Sequence, residues 1–179
     1  MKVNIIVAYC KNRGIGIKND LPWKIKEDLA KFRKLTIGKS NNAIVMGKNT
    51  WQSLNCNYLK ARDNLILSTS LNIDKKIDTN YIKSFQDYTL LKKFLIEKKY
   101  DEIWIIGGEK IYDYFLNQNN CDDEFIVAKI YVTYIDKLFE CDSFFPEIDL
   151  NKFKFISKEV TKIDNDFNLF NIIYERNHS

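Results

Sequence analysis

Five short apolar runs, nearly continuous in hydrophobicity and rich in β-branched residues, limit what this chain can fold into more than any other feature. They are Val3–Tyr9, Ala43–Met46, Asn64–Ser68, Glu102–Ile106 and Lys129–Ile135. A strand with one face in water alternates apolar and polar residues, whereas a strand covered on both faces has no need to. The runs therefore predict buried strands. The stretches between them carry helical spacing, at Ile25–Leu35, Asn49–Leu54, Tyr88–Lys98 and Glu109–Leu116. Strand alternating with helix predicts an α/β fold. The tail breaks that pattern. Lys154–Thr161 and Asn168–Glu175 read as two strands around a turn at Asp164–Asn165–Asp166, an antiparallel hairpin added at the sheet edge. The expected architecture is a mixed, mainly parallel, twisted sheet of about eight strands with flanking helices. With 179 residues and neither linker nor internal repeat, residues 1–179 are expected to form a single domain.

Composition acts mainly by exclusion. Hydrophobic residues at 45% and aromatics at 14% argue against disorder. The net charge of +4 raises the question of a nucleic-acid partner, but 24 of the 28 basic residues are lysines spread along the whole chain. The sequence is equally rich in isoleucine, asparagine, phenylalanine and tyrosine, so a compositional bias accounts for them. Without a basic stripe or a binding motif, no nucleic-acid partner is expected. Cys10, Cys56, Cys121 and Cys141 are far apart in sequence, and the lone histidine, His178, lies at the tail. Reduced thiols in a cytoplasmic protein, no metal site and no histidine-driven nucleophile follow. No apolar run is long enough to span a bilayer or resembles a signal peptide, so no membrane association is expected.

Only six glycines and two prolines occur, so each special backbone position is worth locating. Gly14 to Trp23 follows the first strand and carries Gly14, Gly16 and Pro22, which makes it a loop at a carboxyl edge, where open α/β sheets bind ligands. It lacks the third glycine and the following helix of the dinucleotide fingerprint, and taken alone it reads first as an ordinary crossover loop. In the helix Ile25–Leu35, the residues Ile25, Leu29, Phe32 and Leu35 make an apolar face onto which Asp28 projects, while Glu27 and Lys31 can reach water. A carboxylate on such a face needs a partner or a ligand; the alternative is an aspartate meeting the free N–H groups of the first turn. Two further strands run straight into glycine and then helix, at Gly107-Gly108 and at Gly47, where Lys48, Asn49 and Thr50 stand at the helix start. Ser68-Thr69-Ser70 adds hydroxyls after another strand. Three such strand ends suit a ligand with several phosphates, such as a dinucleotide, and Asp28 suits a second ligand with nitrogen donors.

These segments resemble the dihydrofolate reductase family. Gly16-Ile-Lys-Asn-Asp-Leu-Pro-Trp23 is similar to its active-site loop and Lys26-Glu-Asp-Leu-Ala-Lys-Phe32 to its first helix. Val45-Met-Gly-Lys-Asn-Thr-Trp51 and Ile105-Ile-Gly-Gly-Glu-Lys-Ile-Tyr112 resemble its two cofactor motifs, and Tyr131-Val-Thr-Tyr-Ile-Asp136 and Asp142-Ser-Phe-Phe-Pro146 follow in order. The resemblance spans essentially the whole chain. It implies reduction of 7,8-dihydrofolate to 5,6,7,8-tetrahydrofolate with NADPH, in support of one-carbon metabolism and thymidylate synthesis, by an enzyme that antifolates would inhibit; a monomer is the default expectation.

The same resemblance implies roles for individual residues. Asp28, Leu21 and Tyr112 would form the catalytic centre, with Asp28 accepting hydrogen bonds from the pterin and Thr133 supporting it. Ile6, Phe32, Leu54 and Ile106 would sandwich the rings of the substrate, and Arg62, with Asn57 nearby, would clamp its α-carboxylate. Ala8, Leu21 and Tyr112 would flank the nicotinamide. The loop residues Gly14, Ile15, Gly16, Ile17, Asn19 and Asp20 would close over the cofactor as a lid. Gly47, Lys48, Asn49 and Thr50, with Ser68, Thr69 and Lys83, would hold the adenosine end and its phosphates. Gly107, Gly108, Glu109, Lys110 and Ile111 would complete the second cofactor motif. Two stretches depart from the family. Asn55–Ala61 lacks the prolines and glycine expected before the clamp arginine, and the polar stretch Asn117–Phe125 reads as a surface insertion. A related reductase of another pterin or of a flavin-pathway pyrimidine, or a non-catalytic binding protein on the same fold, are the competing readings; the former would dispense with Arg62 and the latter with Asp28.

Overall fold

The structure, a computed structural model, describes residues 1–39, 41–70, 81–117, 125–163 and 167–177. Its elements in chain order are β1 (Lys2–Cys10), β2 (Gly14–Gly16), α1 (Lys26–Ile37), β3 (Asn42–Gly47), α2 (Lys48–Ser53), β4 (Asp63–Leu67), β5 (Ile82–Phe85), α3 (Tyr88–Lys98), β6 (Glu102–Gly107), α4 (Glu109–Leu116), β7 (Val127–Ile135), β8 (Ser143–Phe144), β9 (Phe153–Ile163) and β10 (Phe167–Arg176). Eight strands form one sheet in the order β5-β4-β3-β6-β1-β7-β10-β9. The first six of these are mutually parallel, β10 pairs antiparallel with β7, and β9 pairs antiparallel with β10. This is the expected mixed sheet with its terminal hairpin. The hairpin turn at 164–166, most of the 117–125 stretch, Cys121 and His178 lie outside the described residues.

The continuous apolar runs have a direct cause. Along β1, Val3, Ile5 and Val7 enter one core cluster with Leu91 and Leu95 of α3 and Tyr112 and Phe115 of α4. Ile6 points the other way, into a cluster with Trp51 of α2 and, packed against it, Phe32 and Leu35 of α1. The same division separates Val45 from Ile44 and Met46, and Ile103 and Ile105 from Trp104. Successive side chains leave a strand on opposite faces, and helices cover both faces of the central strands, so nearly every inner position is apolar, Asn4 of β1 and Asn42 of β3 being buried exceptions.

Three short strands were not foreseen. Ile82–Phe85 adds β5 at the parallel edge; only Ile82 and Phe85 of its four residues are buried, too short a pattern to stand out. Gly14–Gly16, expected as an open loop, pairs as β2 with β8, Gly14 opposite Phe144 and Gly16 opposite Ser143. Helix α1 begins one residue later than expected, with Ile25 as an extended N-cap, so Glu27 and Asp28 occupy its first turn. Its apolar face is not simply a core face either, since Leu29 is 53% exposed.

Candidate active site

A cleft of about 530 Å³ opens at the carboxyl ends of the parallel strands. Strand β1 contributes Ile6, Val7 and Ala8, helix α1 contributes Asp28, Leu29, Phe32 and Arg33, and α2 with the residue after it contributes Thr50, Ser53 and Leu54. Ile106 and Gly108 come from the β6–α4 turn, Tyr112 from α4, and Ile15 and Leu21 from the stretch expected to form a lid. Tyr58, Leu59, Lys60 and Arg62 close the far end. The walls are thus apolar, with a few polar groups at fixed places, as small-molecule sites usually are.

Asp28 stands on the α1 wall. Burial raises its pKa above the ordinary carboxylate value, and a hydrogen bond from Thr133 and the charge of Lys31 oppose that rise. Thr133 is itself buried, on β7 behind the cleft wall. Asp28 therefore satisfies both sequence readings at once, being a first-turn residue that also faces the cleft. Lys31 departs from expectation. Rather than reaching water it turns inward, with Nζ donating to Asn171 Oδ1 at 2.6 Å and to Thr133 Oγ1 at 3.4 Å. Across the cleft Tyr112 is buried, and its hydroxyl donates to the backbone oxygen of Ile6 at 2.9 Å. Burial and the nearby Asp28 charge push its pKa far up, so it remains a neutral phenol.

At the far end Arg62 is only 5% exposed. Its Nη1 donates to Thr36 Oγ1 at 2.9 Å and to the backbone oxygen of Arg33 at 3.4 Å, and the guanidinium lies 5.6 Å from the Phe32 ring centroid. Nε is buried with no hydrogen-bond partner among the described residues. Desolvation, and then the Arg33 charge, lower the guanidinium pKa to about 10. A buried guanidinium with no carboxylate beside it among the described residues suits an anion from outside the chain. Before it, the 55–61 loop turns without glycine: Asn55, Cys56 and Ala61 take left-handed φ of 53°, 55° and 66°. Asn57 in that loop is exposed and outside the cleft lining, where Tyr58, Leu59 and Lys60 stand instead.

The glycine turns lie side by side. Helices α2 and α4 open on Gly47 and Gly108 with no side-chain cap, leaving first-turn N–H groups without a side-chain acceptor. A Cβ built on Gly108 would lie 3.5 Å from Thr50 Oγ1, so the two helix starts are neighbours. Such uncapped ends fit phosphate oxygens. Gly107 has φ of +107°, and a Cβ there would lie 2.8 Å from the Tyr112 ring; close packing of α4, as much as ligand approach, requires this glycine. Around this edge, Lys48 Nζ donates to Ser70 Oγ at 3.2 Å. Glu109 accepts from the Phe144 N–H at 2.9 Å and so ties α4 to β8. Asp142 holds the lid stretch, its carboxylate accepting from Lys18 N at 2.8 Å and its own N–H donating to Gly16 O at 2.9 Å.

Several expected cofactor residues do not line the cleft. Gly14 is buried where a Cβ would run into Cys141 Sγ. Gly16, Ile17, Asn19 and Asp20 form the paired or turning part of the lid; the Asp20 side chain accepts from Leu21 N at 2.8 Å. Asn49, Thr69 and Lys110 are exposed, and Ser68 and Ile111 are half-buried beside the turns. Lys83 sits on β5 with its ammonium 4.4 Å from the Phe94 ring centroid, in a separate shallow depression. Sequence reasoning missed Val7, Leu29, Arg33, Ser53 and the Tyr58–Lys60 segment as cleft-lining residues. Ser53 lies one turn after Thr50 on the same helical face; the loop residues carry no periodic signal. Cys10 and Cys141, remote in sequence, bring their sulfurs to 3.9 Å. Among the described residues no group of His, Cys, Asp and Glu could hold a metal ion, and no helix is long and apolar enough to cross a membrane.

An open α/β sheet with an apolar cleft at its carboxyl edge, a half-buried carboxylate on one helix and uncapped glycine turns opposite, has the features of an enzyme site suited to organic ligands. Comparison with known proteins narrows that class. A family profile described as dihydrofolate reductase matches residues 2–176. The chain is 33% identical over 166 residues to the dihydrofolate reductase of Heliothis virescens, covering 89% of this chain and 86% of that one. It is 35% identical over 171 residues to that of Sus scrofa, covering 87% and 85%. A solved dihydrofolate reductase from Enterococcus faecalis, complexed with NADP(H) and RAB-propyl, superposes with a TM-score of 0.79 at 24% identity, covering 99% of this chain and 97% of that one. The chain belongs to the dihydrofolate reductase family.

Proposed function

We propose that the chain reduces 7,8-dihydrofolate to 5,6,7,8-tetrahydrofolate with NADPH. The observation that carries this reading is the pairing, in one cleft, of a half-buried carboxylate and a buried guanidinium whose Nε has no partner among the described residues. Asp28 is in the first turn of α1 and Arg62 bonds Thr36, eight residues and roughly 12 Å further along the helix axis. Those two groups suit a ligand with nitrogen donors at one end and a carboxylate at the other, separated by flat apolar rings. A reductase of a tail-less pterin or pyrimidine would have no use for Arg62.

When bound, NADPH supplies the hydride. Uncapped amides at the starts of α2 and α4, with Lys48 alongside, support a phosphorylated cofactor at that edge. Asp28 accepts hydrogen bonds from the pterin, and burial, which raises its pKa, favours its acid form and suits it to support proton delivery to the ring through water. Thr133 fixes the carboxylate. Tyr112 braces the β1 backbone at Ile6, beneath the place where the rings meet. Ile15 and Leu21, carried on a lid tied to Asp142, exclude water from above. Antifolates that imitate the pterin would compete for Asp28.

The test is NADPH consumption in the presence of dihydrofolate, by the wild type and by Asp28→Asn. Loss of the acid should lower kcat by roughly 10²–10⁴. A wild type with no turnover would overturn the proposed reaction, and an unimpaired variant would overturn the role of Asp28.

A further inference from the structure

Lys31 is the one charged side chain near Asp28 whose position was unexpected. It follows Asp28 by three residues on α1 and so shares its face. Helix α1 lies over a row of side chains that crosses three strands. Thr133 of β7 is directly opposite Asn171 of β10, and Asn171 is directly opposite Glu159 of β9. Directly opposed residues of antiparallel strands project on the same face, and Lys31 reaches down to that row. Its Nζ is 2.6 Å from Asn171 Oδ1 and 3.4 Å from Thr133 Oγ1. The amide nitrogen of Asn171 in turn donates to Thr161 Oγ1 at 3.5 Å, which fixes the amide with its oxygen toward the lysine.

The hydrogen-bond inventory then decides the direction of the chain. An ammonium only donates, so the Thr133 hydroxyl accepts from Lys31, and the single hydroxyl proton is left to point at Asp28. We propose that Lys31, clamped by Asn171, is a positioning residue that orients the Thr133 hydroxyl toward Asp28 and holds a fixed positive charge beside the acid. The proposal rests on the catalytic reading of Asp28 given above. Lysine is suited to this because three rotatable donors serve two acceptors at once.

The two effects have the same sign. A hydroxyl donating to the carboxylate and a nearby cation both favour the ionised form of Asp28, against the burial that raises its pKa. The charged and titratable groups facing the pair are few. Tyr112 of α4 faces Asp28 and stays neutral, and Glu159 of β9 faces Lys31, whose pKa burial lowers while the charges of Asp28 and Glu159 oppose that lowering. Removing the lysine should let Asp28 hold its proton to higher pH.

The experiment is the pH profile of hydride transfer for Lys31→Met and Lys31→Arg, each normalised to its own acid plateau. Lys31→Met should move the descending limb to higher pH, so that on the alkaline side it retains about two- to threefold more of its plateau activity than the wild type. Lys31→Arg, which keeps a charge and only donors, should restore the wild-type limb. In a Thr133→Val background the Lys31→Met displacement should shrink, because one of its two routes is gone. A limb that stays in place while the plateau falls, or an arginine variant that behaves like methionine, would overturn the proposal. If Lys31→Met does not fold, Lys31→Leu, which likewise removes both donor and charge, carries the same comparison. Asp28→Asn measured alongside separates this outcome from failure of the catalytic reading, since only that failure would leave Asp28→Asn active.

Discussion

At the scale of single residues, the site is defined by charges held where water cannot fully reach them. Arg62 is the clearest case. Its guanidinium is buried, Nε has no partner among the described residues, and the polar groups it does touch are a hydroxyl and a backbone oxygen. Such a group is most stable with a carboxylate against it. Arg62→Ala should therefore act mainly on KM for dihydrofolate, by about 1.5–3 kcal/mol or roughly 10- to 150-fold, and far less on KM for NADPH. Initial rates at varied substrate and cofactor check this, and equal effects on both would remove Arg62 from the substrate side. The sequence pointed to Asp28 and Arg62 through the apolar face of one helix and a family resemblance. It misread Lys31, because helical periodicity says which side a residue leaves from but not that a long side chain will fold back onto a neighbouring strand.

At the scale of elements, the strand–glycine–helix turns are what bring backbone amides to the cleft, and the two glycines at β6–α4 differ in what they do. Gly107 has a left-handed φ and a Cβ there would overlap the Tyr112 ring, whereas Gly108 has ordinary space, 3.5 Å from Thr50 Oγ1. Gly107→Ala is expected to destabilise by about 1–3 kcal/mol through backbone strain, with overlap added. Gly108→Ala should leave stability nearly unchanged, while crowding the amides that face the cofactor. Denaturant unfolding and NADPH binding, measured on both variants, separate the two roles; equal losses of stability would mean that Tyr112 yields easily. Strand β2 shows the limit of reading elements locally. Gly14–Gly16 carries turn signals, and only the arrival of β8 from more than a hundred residues away makes it a strand.

At the scale of the whole molecule, the cleft is assembled from β1, α1, α2, the β6–α4 turn and the loop after β2, so a ligand that binds only the folded chain stabilises it. NADPH at about 100 times its Kd should stabilise the chain by ~2.7 kcal/mol, which for this size is a rise in Tm of roughly 5–11 °C. Thermal melting with and without NADPH tests this; no rise at saturating cofactor would contradict the proposed cofactor. The sequence by itself determined the α/β class, the four helices, the buried central strands and the antiparallel tail. It could do so because burial on both faces of a strand, or on one face of a helix, leaves a periodic trace in neighbouring residues. It also marked Asp28 and the glycine turns, whose requirements are local. Only the tertiary structure decided that Lys31 turns inward to Thr133 and Asn171, that Cys10 meets Cys141, that Asp142 bonds Gly16 and Lys18 and that Arg62 Nε is left without a partner among the described residues. Those facts depend on which distant segments meet, and contacts between residues remote in sequence leave no periodic trace for a single chain to display.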